Sequence, residues 1–131
     1  MYFDTETLTR LLSDAEVQQK AAPAVAAARR RFTSPLAVAG TVLALKDRGL
    51  SPAELEGHVT NYLDLAGIEL RDMPPAHRLI EAATQAVNTG SSGGLEAVWH
   101  GACAAYYEAE AFSLDNLPEP GQPEPEAPAE E

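Results

Sequence analysis

Two serine–proline pairs, Ser34-Pro35 and Ser51-Pro52, constrain this chain more than any other feature. A serine hydroxyl at an N-cap accepts a hydrogen bond from one of the orphan N–H groups of a helix's first turn. A proline at the next position has its φ already near the helical value and lacks only an N–H that would have no helical partner. The first pair opens LAVAGTVLALKDR, with cations in the last turn, where the helix dipole favours them, and Gly49 just beyond. The second begins Ser51-Pro52-Ala53-Glu54, sets Leu55, Val59, Tyr62 and Leu63 on one face and closes at Gly67. Two consecutive helices with a tight link are therefore written into the middle of the chain.

The remaining punctuation is of the same kind. Ser13-Asp14-Ala15-Glu16 has the spacing of a capping box, and Pro23 should kink or restart the helix that it opens. Pro75 starts a segment with Leu79, Ile80, Ala83 and Val87 at helical spacing, which should end before the Gly/Ser loop from Gly90 to Gly94. A last helix is expected from Leu95 to Glu110, carrying Val98, Trp99, Ala102 and Tyr106. Strand signals are short: Tyr2-Phe3, Arg31-Phe32-Thr33 and Ile68-Glu69-Leu70-Arg71. The pattern fits a helix-rich α/β fold, a small parallel sheet flanked by helices, or else an all-α bundle; periodicity alone does not separate the two.

A chain of 131 residues has room for one domain. Its net charge of −11 is unevenly placed: residues 1–48 hold seven Lys/Arg against five Asp/Glu, and residues 49–131 hold two against fifteen. Such a chain is a poor non-specific binder of nucleic acid, because that affinity comes from neutralising phosphates. It does not exclude a metal-dependent nuclease, whose site concentrates carboxylates. From Leu117 the sequence reads LPEPGQPEPEAPAEE, which cannot bury enough apolar surface to offset its ordering entropy. The expected organisation is a domain over 1–116 and a disordered acidic Pro/Glu-rich tail over 117–131. The single Cys103 rules out an internal disulfide framework and fits a reducing compartment. The opening residues lack the pattern of a signal peptide. The apolar stretch from Phe32 to Leu45 falls short of the roughly 20 residues that a membrane helix needs. The reading is a cytoplasmic protein with no membrane partner.

Three segments carry a family likeness. The opening MYFDTETLTRLL is a strand whose Asp precedes a helix; FTSPLAVAGTVLALKDRGLSPAELEGHVTNYLDLAGIEL sets a Thr-Ser-Pro helix start and a Gly-Leu-Ser-Pro connection between two strands; GLEAVWHGACAAY is a late helix. Over about residues 1–112 the chain resembles the PIN-domain ribonucleases, in particular the VapC-type toxins of toxin–antitoxin systems, as a degenerate and C-terminally truncated member. The resemblance implies a parallel-sheet α/β domain that cuts RNA with Mg²⁺ or Mn²⁺ held by a cluster of carboxylates. It also implies a cognate antitoxin as partner, and a homodimer. A hard, octahedral cation needs such anionic oxygens, and hydroxide attack on a phosphodiester needs the cation.

Position by position, the resemblance leaves that cluster depleted. Asp4 matches the first metal-binding Asp. Gly40 stands where the second carboxylate belongs and Ala102 where the third does. Asp115 is a remnant of the fourth at best, since the chain passes from Ala111 through Asn116 straight into the tail. Ribonuclease activity is therefore expected to be impaired, metal binding weak or absent, and RNA a partner only if activity survives. A third arrangement keeps an unusual enzyme site from Asp4, Asp115 and Glu96. Asp4 also reads as a helix N-cap.

Other candidates have plainer explanations beside them. Arg29-Arg30-Arg31 could contact phosphates or could form the cationic end of a helix. His100 and Cys103 share a helix face, but with Trp99 beside them and no second ligand pair they read as core and boundary packing. His58 and His77 read as exposed or boundary residues.

Overall fold

A computed structural model describes residues 1–90 and 94–115. The expected tail over 117–131 lies outside the described residues, as do Asn116 and the centre of the Gly/Ser loop. The elements run β1 (Tyr2–Phe3), α1 (Thr5–Ser13), α2 (Ala15–Ala27), β2 (Phe32–Thr33), α3 (Pro35–Ala44), α4 (Pro52–Ala66), β3 (Glu69–Leu70), α5 (Ala76–Asn88) and α6 (Leu95–Tyr106). The strands form a parallel sheet in the order β1-β2-β3, with Tyr2 opposite Phe32 and Phe32 opposite Glu69. The fold is thus α/β and helix-rich, and the all-α bundle is ruled out. Parallel neighbours cannot be joined by a hairpin, so each crossover here carries a helix pair, α1–α2 and then α3–α4. None of the described helices is long and apolar enough to cross a membrane.

Alternation along the strands divides the core. Phe3 packs on one face with Leu8, Leu11, Val25, Leu63 and Ile68, whereas Tyr2 and Phe32 pack on the other with Cys103 and Tyr107 of the α6 side. A third cluster, Leu12, Leu45, Leu55 and Val59, ties α1 to α4.

The C-terminal segment departs from expectation. Ala111 bridges Tyr2 in parallel, with the Tyr2 N–H donating to the Glu110 carbonyl and the Phe112 N–H to the Tyr2 carbonyl, at 2.6 and 2.8 Å. Instead of passing the sheet on its way to the tail, the chain lies along the free edge of β1. The alternation of Phe112 and Leu114 explains this: both are buried against the Phe3 face, and Phe112 meets Phe3 edge-on at 4.6 Å.

The serine–proline starts form as their chemistry requires. Ser34 accepts from the Ala37 N–H, while Ser51 and Glu54 exchange both bonds of a capping box. Gly67 closes α4 at φ 67°, in the left-handed region that an L side chain resists. Elsewhere the boundaries shift. Asp14, not Ser13, caps α2, accepting from the Glu16 and Val17 N–H groups, because Ser13 is still the last residue of α1. α2 runs through Pro23, which sits one turn before the helix ends and forfeits a single backbone bond. α3 stops at Ala44, so Lys46 and Arg48 lie in the turns after it. α2 stops at Ala27, so Arg29–Arg31 follow the helix and do not form its last turn.

Candidate functional site

Parallel strands deliver the residues that follow them to one edge, the usual ligand edge of open α/β sheets. Here β1 delivers Asp4 and Thr5, and β2 delivers Ser34. Asp4 accepts from the Thr7 N–H at 2.9 Å, making it the N-cap of α1. Beside it runs a chain of four polar side chains. The Ser34 and Tyr2 hydroxyls are 2.8 Å apart, the Tyr2 hydroxyl and His100 Nδ1 2.6 Å, and His100 Nε2 and Thr5 Oγ1 2.9 Å. Ser34 accepts from the Ala37 N–H, and in one consistent order its own proton goes to Tyr2. Tyr2 then donates to Nδ1, and the Nε2–H of a neutral imidazole donates to Thr5. This proton order satisfies every group.

Burial dominates the electrostatics of this chain. It holds the His100 pKa below the usual 6.5, against the pull of Asp4 and of Glu96, whose carboxylate is 3.8 Å from Nε2. It pushes the Tyr2 hydroxyl and the Cys103 thiol upward as well. His100 is therefore neutral near pH 7. Both of its nitrogens are occupied, so the array can relay a proton but presents no free lone pair.

Gly40 faces this array. A Cβ built there would lie 2.6 Å from Thr5 Cγ2 and 2.9 Å from Thr5 Oγ1, so a side chain at position 40 would require Thr5 to rotate or α3 to shift. The bare backbone lets α3 close on α1 while Thr5 keeps its hydroxyl on His100. Ala102 is not part of the gathering. Two positions on from His100, about 200° around the helix, it lines a groove against α5 with Arg78, Ala82 and Gln85. The structure thus brings Asp4, Gly40, Glu96 and His100 to one neighbourhood. Asp115 is exposed and faces Arg10 at 3.9 Å, well along α1 from Asp4.

Mg²⁺ or Mn²⁺ would need donors that this arrangement does not leave free. One Asp4 oxygen is engaged by the helix, His100 has both nitrogens engaged, and position 40 offers no donor. Among the described residues no three His, Cys, Asp or Glu side chains are grouped to hold an ion. A hard cation needs several unengaged anionic oxygens, and these residues do not fit it.

The basic run divides three ways. Arg31 donates to the Val25 and Ala26 carbonyls at 2.8 and 3.1 Å and reaches the Gly67 carbonyl at 3.4 Å, tying together the ends of α2 and α4. Arg30 stacks at the Phe32 ring, and Arg29 is exposed. Cys103 is fully buried, whereas His100 spends both ring nitrogens in the polar chain with Tyr2 and Thr5. His58 and His77 are exposed. Sequence reasoning missed Tyr2, Thr5 and Ser34 as partners of His100. The one available signal was polar residues placed next to the strand ends.

No family model matches the chain, and neither a curated protein nor a solved structure matches it.

Proposed function

We propose that the chain is a degenerate PIN-like domain of the VapC type whose catalytic edge has been given over to structure, and that it acts by binding protein, either a cognate antitoxin or a second copy. The observation that carries this reading is the use made of the edge where β1 and β2 end. Asp4 caps a helix, Gly40 makes room for Thr5, and His100 is spent on Tyr2 and Thr5. The parallel sheet, with Asp4 directly after its first strand and Ser34-Pro35 directly after its second, supports the ancestry. Protein binding is supported by α5, which packs on α6 yet buries none of its own residues and leaves Ile80 67% and Val87 80% exposed. The alternative of a helical interaction module loses its all-helical form but draws on the same face.

Two measurements on the full chain test the proposal: light-scattering mass, and cleavage of single-stranded RNA with Mn²⁺. A self-associated species that Ile80→Glu with Val87→Glu dissociates, without metal-dependent cleavage, is the expected result. Cleavage that requires Mn²⁺ and disappears in Asp4→Asn, a variant that keeps the helix cap, would overturn it.

A further inference from the structure

At the opposite end of α6 from Glu96, two arginines converge on one buried ring. Arg30 precedes β2 and Arg71 follows β3. Each guanidinium carbon lies 4.8 Å from the centre of Phe32, which is 5% exposed, and Arg71 is also 5.9 Å from the Tyr107 ring. The two cations are therefore at most twice that distance apart, within about one Debye length. Tyr107 fixes the backbone beneath Arg71, donating to the Asp72 carbonyl at 2.7 Å and reaching the Arg71 carbonyl at 3.3 Å.

Neither guanidinium is spent. Among the described residues no carboxylate comes within salt-bridge distance of Arg30 or Arg71, and neither side chain hydrogen-bonds to a described residue. Arg31 next door, by contrast, uses its donors on backbone carbonyls. Contact with an aromatic ring steadies a guanidinium without consuming its N–H groups, which stay available as a planar fork. Two like charges held close together, with no ion-pair partner among the described residues, lose their mutual repulsion when an anion binds between them.

With Asp72, Tyr106, Tyr107 and Glu108, the pair lines a pocket of about 440 Å³, of small-ligand size. Asp72 and Glu108 line the same pocket, but neither forms an ion pair with a guanidinium. Together with the net charge of −11, they disfavour a long polyanion more than a compact oxyanion. Tyr106, 44% exposed, offers a ring beside that seat.

We propose that Arg30 and Arg71 form a binding site for a small phosphate-bearing molecule, the phosphate bridging the two guanidinium forks. The assignment is independent of any nuclease ancestry and of the α5 face.

The test is calorimetric titration and thermal melting of the full chain with inorganic phosphate and, separately, with a nucleoside monophosphate, at constant ionic strength. Saturable binding of either, with a melting temperature that rises with ligand, is expected. Tighter binding of the monophosphate identifies the bearer of the phosphate; equal binding identifies phosphate itself. Arg30→Gln and Arg71→Gln should each weaken binding about tenfold or more. Arg10→Gln, at the remote Asp115 pair, should not. Arg30→Lys with Arg71→Lys keeps both cations over Phe32 and removes only the forks, so its loss of affinity separates recognition from stability. The proposal fails if neither ligand saturates below about 20 mM, if the Gln variants bind as well as the parent, or if Arg10→Gln is equally weakened. It also fails if single-stranded RNA binds through both arginines while the small phosphates do not.

Discussion

Gly40→Ala is the substitution in which local propensity and tertiary packing disagree most clearly. Within a helix interior, alanine is favoured over glycine by about 1 kcal/mol. At position 40, however, the new Cβ would lie 2.6 Å from Thr5 Cγ2, 2.9 Å from Thr5 Oγ1 and 3.3 Å from Thr5 Cβ. Either α3 backs away from α1 or Thr5 rotates and releases His100. Overpacking of this kind costs about 1–3 kcal/mol, and a lost partly buried hydrogen bond adds about 1 kcal/mol. The net expectation is a loss of about 1–3 kcal/mol after the propensity gain. Gly57 in α4 is the internal control: nothing lies within 4 Å of its Cβ position, so Gly57→Ala should gain up to about 1 kcal/mol. Urea denaturation of Gly40→Ala, Thr5→Ala and the double variant measures the coupling. Removing Thr5 Cγ2 and Oγ1 should recover most of the penalty, leaving the 3.3 Å approach to Cβ. If Gly40→Ala stabilises the parent as Gly57→Ala does, or if its cost is unchanged beside Thr5→Ala, the close approach does not control this helix pair.

Three further outcomes follow from the same geometry. Because His100 has a folded pKa below its unfolded value, the unfolded state binds the extra proton first; stability should fall as pH drops through about 6.5, and His100→Gln should flatten that slope in melts at stepped pH. Asp4→Ala should cost about 1 kcal/mol through loss of the cap, Asp4→Asn far less, and neither difference should change between EDTA and millimolar Mg²⁺; a metal-dependent gap in thermal melts would place an ion at Asp4. Val87→Lys should alter the stability of the free chain by less than about 0.5 kcal/mol, since Val87 is 80% exposed, and a larger loss in denaturant titration would mean that α5 is covered.

Local signals were legible in the sequence, and contacts between distant segments were not. The Ser34 and Ser51 caps act within one helical turn, so the residues that make them stand side by side in the sequence. All three strand signals formed strands for a similar reason: each places aromatic or branched residues next to a helix start or after a helix end. The boundary at Ser13 slipped because Asp14 can serve both as the end of α1 and as the cap of α2. Two faces of one helix were harder. Ala102 and His100 are two residues apart, yet only packing decides that α5 covers the first and β1 the second. The Ser34–Tyr2–His100–Thr5 chain joins residues up to 98 positions apart, and no spacing rule reaches that far.

The pairing on both sides of β1 also sets an order of assembly. Its inner partner, Phe32, lies thirty positions along the chain, but its outer partner segment around Ala111 is among the last to be made of the described residues. Until Phe112 arrives, the Phe3 ring lacks its edge-on neighbour and the outer backbone groups of β1 have no strand partner. The first strand is thus among the last of the described elements to be enclosed. A growing chain must carry an unfinished sheet edge until Ala111 and Phe112 emerge, with completion resting on contacts of very long sequence separation, the slowest kind to form.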